Sequence, residues 1–277
     1  MNDPAISNEH ATVWWENNTW WVRDLGSRNG TFVDGRRLDV GEVARLAAGS
    51  TLGLGRPLAT WSLGDSYPPH AVAVRAHDNA EQHAHGGLIA LPSPEDPQVT
   101  VCQNDQGWSC ESESGSRDVV TGDQLDVGGE LWTLELPEEM DRTKDTEAII
   151  GSVDLLRLHF RVSPDEEMVQ IIAACLQSTW ELEARSYHYL LLTLARQRLQ
   201  DREEGLPPPA EGWVDAKELA RMLRVAERTL TVHIYRARRQ LGDLGISGSG
   251  KLIERRGRTG QLRLAVSRIE VERLGES

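Results

Sequence analysis

Residues 6–32 read ISNEHATVWWENNTWWVRDLGSRNGTF, and this stretch decides the fold. Ala11-Thr12-Val13-Trp14-Trp15 and Thr19-Trp20-Trp21-Val22 are rich in β-branched and aromatic residues, and Asn17-Asn18 between them is a turn signal, so the run predicts paired strands. Polar loops flank it: Ser7-Asn8-Glu9-His10 before, Ser27-Arg28-Asn29-Gly30-Thr31 after. A hairpin brings the residues ahead of its first strand beside those that follow its second, so both loops are expected at one rim. Gly30, directly after Asn29, permits a positive φ and a sharp change of direction, which lets such a loop turn short polar groups outward.

Working outward, residues 31–33 read as a further strand, and Asp34-Gly35 as another turn, which makes residues 1–66 an all-β module. The ordered patterns S-x-x-H-A over 7–11, W-x-V-x-D-L-x-S-x-N-G-T-F-V-x-G over 20–35 and L-x-x-G-S-x-L-x-L-G over 46–55 resemble the forkhead-associated (FHA) domain, a β-sandwich that reads phosphothreonine peptides. The resemblance implies that Ser7 and Arg28 contact phosphate, that Asn8 and Asn29 hydrogen-bond the peptide backbone, and that His10, with Gly30 and Thr31, braces the loop from inside. Hydroxyl, amide and guanidinium donors suit phosphate because its charge strengthens each bond. Family members also carry a Gly-Arg pair on an early strand, its Arg a main phosphate ligand. Six residues precede Ser7 here, so the expected sandwich lacks its first strands and that Arg. Gly55-Arg56 has the same letters, but it follows the Asn-Gly-Thr loop and is expected in a closing strand.

Residues 67–147 predict a second β-rich segment, with strands at 87–91, 98–101 and 131–136 between Pro-, Gly- and Ser-rich turns, and no motif. His77, His83 and His85 lie close together but read as a solvated loop, not a metal site. Charged residues over 137–146 read as a linker.

From residue 152 the character changes. Leu156, Leu158, Phe160 and Val162 alternate with Arg157, His159 and Arg161, the period of a half-buried strand, and further strands are expected at 168–176 and 179–183. A helix over 186–201 stops before Gly205 and Pro207-Pro208-Pro209. A second, over 214–223, has Asp215 as N-cap, and a tight turn at 224–226 leads to a third over 228–244. Leu230, Ile234, Ala237, Leu241 and Leu244 give that third helix its core face, leaving Thr231, Tyr235, Arg238 and Arg239 opposite. A β-hairpin over 252–266 carries an arginine-rich tip. This order, over 152–274, resembles the OmpR-like winged helix-turn-helix of bacterial response regulators. The resemblance implies a third helix lying in the major groove, with Arg228, Thr231, Tyr235, Arg238 and Arg239 toward the bases and Arg256 and Arg258 of the wing on phosphate or an adjacent minor groove.

Charge agrees with that division. The chain carries a net −13, yet residues 209–277 hold 14 Lys and Arg against 9 Asp and Glu, a surplus of 5 that leaves −18 on residues 1–208. A basic module joined to acidic domains points to nucleic acid. The expected architecture is therefore multidomain, mainly β then α+β, and the expected protein is a cytoplasmic transcriptional regulator. Its expected partners are double-stranded DNA and a phosphothreonine-containing protein, with no membrane, cofactor or metal. The alternative is an adaptor that uses the FHA-like domain for phosphate-independent contacts and does not bind DNA. No P-loop, zinc motif or nucleophile elbow is legible, so an enzyme is not expected. Three cysteines, Cys102, Cys110 and Cys175, have no metal-ligand spacing and cannot all pair.

Overall fold

The computed structural model describes residues 3–16, 19–58, 61–64, 69–104, 107–137, 151–257 and 259–274. They fall into two compact units, Met1–Pro69 and His70–Ser277, the second holding both the middle segment and the C-terminal region.

In the first unit the expected hairpin forms: β1 (Ala11–Glu16) and β2 (Thr19–Asp24) pair antiparallel, with Val13 opposite Val22. β3 (Thr31–Val33), β4 (Arg36–Arg37), β5 (Val43–Leu46), β6 (Thr51–Leu54) and β7 (Trp61–Ser62) complete two sheets, ordered β1-β2-β5 and β4-β3-β6-β7. Val22, Val33, Leu38 and Leu46 are its buried apolar residues. So small a core leaves much of the work of fixing the loops to polar contacts. Gly55 and Arg56 are a correction: they bend away after β6, and the closing strand is β7. Gly55 has φ +74°, and a Cβ there would lie 2.2 Å from the Ala5 carbonyl oxygen, so only glycine lets the backbone pass this close.

The second unit opens with β8 (Val72–Arg75), β9 (Glu81–His83), β10 (Leu88–Leu91), β11 (Val99–Asn104), β12 (Gly107–Ser112), β13 (Gly115–Val119), β14 (Gln124–Val127) and β15 (Glu130–Glu135). They make two four-stranded sheets, β10-β11-β12-β13 and β14-β15-β8-β9. Alternate residues, among them Ile89, Leu91, Val101, Trp108, Cys110 and Trp132, close a core of their own. His83 lies in β9, not in a loop, and faces Glu81 at 3.0 Å and His70 at 2.9 Å.

The C-terminal region holds the expected three strands, three helices and hairpin: β16 (Gly151–Ser152), β17 (Arg157–Val162), β18 (Val169–Cys175), β19 (Ser178–Leu182), α1 (His188–Glu203), β20 (Val214–Asp215), α2 (Ala216–Leu223), α3 (Glu227–Gly242), β21 (Ile246–Ser247), β22 (Ile253–Arg255), β23 (Gln261–Leu264) and β24 (Arg268–Arg273), of which β16, β20, β21 and β24 are unforeseen. Its sheets are β19-β18-β17-β24, β20-β23-β22 and the parallel pair β16-β21. Asp215 caps α2 by accepting from the Lys217 and Glu218 N–H groups, and Arg224, in the left-handed region at φ 55°, ends the helix. The turn between α2 and α3 is therefore short. Leu158, Phe160, Leu190, Leu194, Leu219 and Leu230 belong to one large core, each side chain contributing about 1.5–3 kcal/mol by burial. Arg198 of α1 is buried, pairs with Glu211 at 3.2 Å and donates to the Leu264 and Ala265 carbonyls at 2.6 and 2.7 Å, which ties the helix to the β22–β23 hairpin. Of the expected linker, residues 138–146 lie outside the described residues.

Candidate functional site

In the first unit the two loops meet through one histidine. The Ser7 N–H donates to His10 Nδ1 at 3.0 Å, which leaves the ring proton on Nε2 to donate to the Gly30 carbonyl at 3.0 Å. The ring, 4% exposed, thus braces both loops from inside. A second hub is Asp24 at the end of β2. Its carboxylate accepts from Ser27 Oγ at 2.6 Å, Thr31 Oγ1 at 2.7 Å and the Gly26 and Ser27 N–H groups, while Ser27 Oγ accepts from the Gly30 N–H. Burial would raise its pKa, but these hydrogen bonds to the charged form outweigh burial and hold it below the usual carboxylate value. The sequence singled out His10, Gly30 and Thr31; Asp24 and Ser27 were missed, although their D-x-x-S spacing is that of a side chain turning back on its own loop.

The expected ligand groups gather on top of this frame. Arg28 donates its N–H to Ser7 Oγ at 3.2 Å, and Asn29 Nδ2 donates to the Ala5 carbonyl at 2.9 Å, so part of the Asn29 amide is engaged within the chain. Asn8 and the Arg28 side chain are exposed, and neither has a side-chain partner among the described residues. Arg37 joins them unexpectedly. A Cβ placed on Gly30 would lie 2.4 Å from Arg37 Nε, so this guanidinium lies against the loop, and it too is unpaired among the described residues. Arg56 pairs with Asp3 at 3.3 Å.

The expected nucleic-acid face departs from the sequence reading. Leu230, Ile234, Ala237 and Leu241 of α3 are buried in the C-terminal core as expected, but the opposite face is covered by strands β10–β12. Arg238 is 1% exposed. It donates to both Glu111 carboxylate oxygens, at 2.9 and 3.0 Å, and to the Ile253 carbonyl. Tyr235 packs against Leu88, Ala90 and Cys102, and Thr231 is buried with its hydroxyl on the Glu227 carbonyl. Arg228 pairs with Asp96, and Arg239 donates to the Tyr235 hydroxyl at 3.4 Å. Arg256 stacks 4.0 Å above the Trp213 ring and donates to Gln261 Oε1 at 3.0 Å; Arg258 lies outside the described residues. The reason is charge that the sequence keeps far apart: Glu111 and Asp96 sit on the acidic middle segment and meet the basic helix only in the fold. Burial opposes the Arg238 charge, yet Glu111 outweighs it and raises the pKa; Arg255, facing the same carboxylate, is lowered by burial and by Arg238.

Among the described residues no group of three or more His, Cys, Asp or Glu is placed to hold a metal, and no helix is long and apolar enough to cross a membrane.

Residues 1–55 match the FHA domain family, so the chain carries an FHA domain at its N-terminus. A relative named probable E3 ubiquitin-protein ligase dma1, from Schizosaccharomyces pombe, is 48% identical over 34 residues, 12% of this chain, and the match spans 13% of that relative's length. No solved structure matches the chain.

Proposed function

We propose that the chain is a regulator that docks a phosphothreonine-containing protein at its FHA domain and reads duplex DNA through α3 and the β22–β23 hairpin. FHA domains bind phosphothreonine-containing proteins. The observation that carries docking is the His10 brace: it fixes the two loops together, with the Arg28 N–H on Ser7 Oγ and the Arg37 guanidinium against Gly30, and neither guanidinium is paired among the described residues. Guanidiniums carried on such a rim suit an anion, Arg37 adding a second to that of Arg28. The test is titration of the full chain with matched phosphothreonine and unphosphorylated peptide libraries. A preference for the phosphorylated set that falls tenfold or more in Arg28→Ala and Arg37→Ala is expected; equal affinity for both sets would reduce the rim to a plain docking surface.

DNA reading is supported by the helix, short turn, helix and hairpin order, and by the positive charge of residues 209–277. The burial of Arg238 favours the rival, an adaptor whose helix face makes protein contacts only. A gel shift with genomic fragments separates the two, since an adaptor has no salt-sensitive affinity for duplex.

A further inference from the structure

The middle segment pairs several of its strands as the first unit does. β1 and β11 are each six residues long, as are β2 and β12, and across the turn Glu16 faces Thr19 as Asn104 faces Gly107. The next strand keeps the register: Trp20 pairs with Leu46 as Trp108 pairs with Val119. The following turn closes in the same way, the Ser50 N–H on the Ala47 carbonyl and the Asp123 N–H on that of Val120. The closing strand agrees too, with Leu52 opposite Trp61 and Leu125 opposite Trp132. Register, turn and closing partner are independent choices in a sandwich, and here all coincide.

The difference lies on one sheet face. Val22 and Cys110 point inward at equivalent positions, so the outward residues are Trp14, Trp21 and Arg23 in the first copy and Cys102, Ser109 and Glu111 in the second. Three bulky side chains are replaced by two small ones and a carboxylate. That makes room for Tyr235 and supplies a counter-charge for Arg238. The loop ahead of the second hairpin takes part, Asp96 pairing with Arg228 and the Glu95 carbonyl accepting from Arg236 at 3.4 Å. The contact is also separate from both cores: the sandwich and the helical region each close their own, and among the described residues Leu88, Ala90, Cys102 and Tyr235 form the buried apolar patch between them.

We propose that residues 69–136 are a second copy of the N-terminal sandwich whose outer sheet face has become a dock for α3 of the same chain, holding that helix in a closed state from which it must be released to meet a nucleic acid. The last step rests on the DNA reading above.

The cysteines report the contact. Cys102 lies under α3, whereas Cys110 and Cys175 lie in the two cores, and burial pushes the thiols of Cys102 and Cys110 up to about 12 and about 11. Native alkylation of the full chain, resolved per cysteine by mass spectrometry, should be slow at all three thiols in the wild type, and Glu111→Gln, which removes the counter-charge of Arg238, should accelerate Cys102 at least tenfold and leave the other two unchanged. Cys102 reacting no faster in the variant, or all three accelerating together, would overturn the dock. The repeat is tested by Cys102→Trp, which installs the residue that the first copy carries at this register. Cys110 and Cys175 should stay protected, and their exposure would overturn the equivalence. A mixed-sequence duplex should bind more tightly to Cys102→Trp, which crowds Tyr235 without changing the charge, than to wild type. Selective release of Cys102 without any duplex binding leaves the dock standing and removes the DNA reading.

Discussion

Each sandwich buries one carboxylate near the end of the second strand of its hairpin, and the two are satisfied by opposite means. Asp24 of β2 is held by hydroxyl and N–H donors of its own loop, all within seven residues. Glu111 of β12 is held by guanidiniums, Arg238 at 2.9 Å and Arg255 at 3.7 Å, from more than a hundred residues away. A carboxylate satisfied locally organises a loop and leaves nearby cations unpaired for a ligand. One satisfied by distant charge organises a domain contact instead and consumes those cations.

The largest expected effect tests the second arrangement. Glu111→Ala leaves two guanidiniums facing each other in a buried site, and should cost about 3–5 kcal/mol in the denaturation of the second unit while leaving phosphopeptide binding intact. A shift no larger than that of a surface substitution would show that the cluster does not hold the contact. Next comes His10→Ala, which removes both loop-bridging hydrogen bonds and leaves the Ser7 N–H and the Gly30 carbonyl without their partner. It should destabilise the first unit by about 2 kcal/mol and lower phosphopeptide affinity at least tenfold, with Cys102 alkylation unchanged. A smaller effect follows from pH. Asp24 has a folded pKa below its unfolded value, so its contribution is complete above the ordinary carboxylate range and is lost as pH falls through the lowered folded value. Acid titration of the first unit should show this loss in wild type and not in Asp24→Asn. The smallest effect is that of Arg228→Ala: the Arg228–Asp96 pair is half exposed on both sides, so the unfolding midpoint should not move measurably. A clear drop would mean that the rim of the dock matters as much as its buried centre.

The first hairpin was legible because its information is local. Strand composition, the Asn17-Asn18 turn and the order of Ser7, His10, Arg28 and Asn29 all lie within a short stretch. The core face of α3 was legible for the same reason, since Leu230, Ile234, Ala237 and Leu241 declare it by spacing. The other face was not. Thr231, Tyr235, Arg238 and Arg239 have the composition of a solvated basic surface, and nothing near them in sequence announces Glu111. Strands such as Gly107–Ser112 and Gly115–Val119 were also missed, because each carries a single β-branched or aromatic residue, Trp108 or Val119, and Arg117 and Asp118 of the second are exposed. Arg37 escaped notice because its role depends on Gly30 lacking a Cβ.

One detail of the second sandwich bears on stoichiometry. Where the first runs from β2 to β5 through residues 25–42, carrying Ser27, Arg28, Asn29 and the β3–β4 hairpin, the second goes from β12 to β13 through Glu113 and Ser114 alone. The copy kept the scaffold and not the loop that would grip a phosphate. Two sandwiches therefore supply one receptor. A doubly phosphorylated peptide gains no avidity from engaging a single chain, and calorimetry should return one bound peptide per polypeptide.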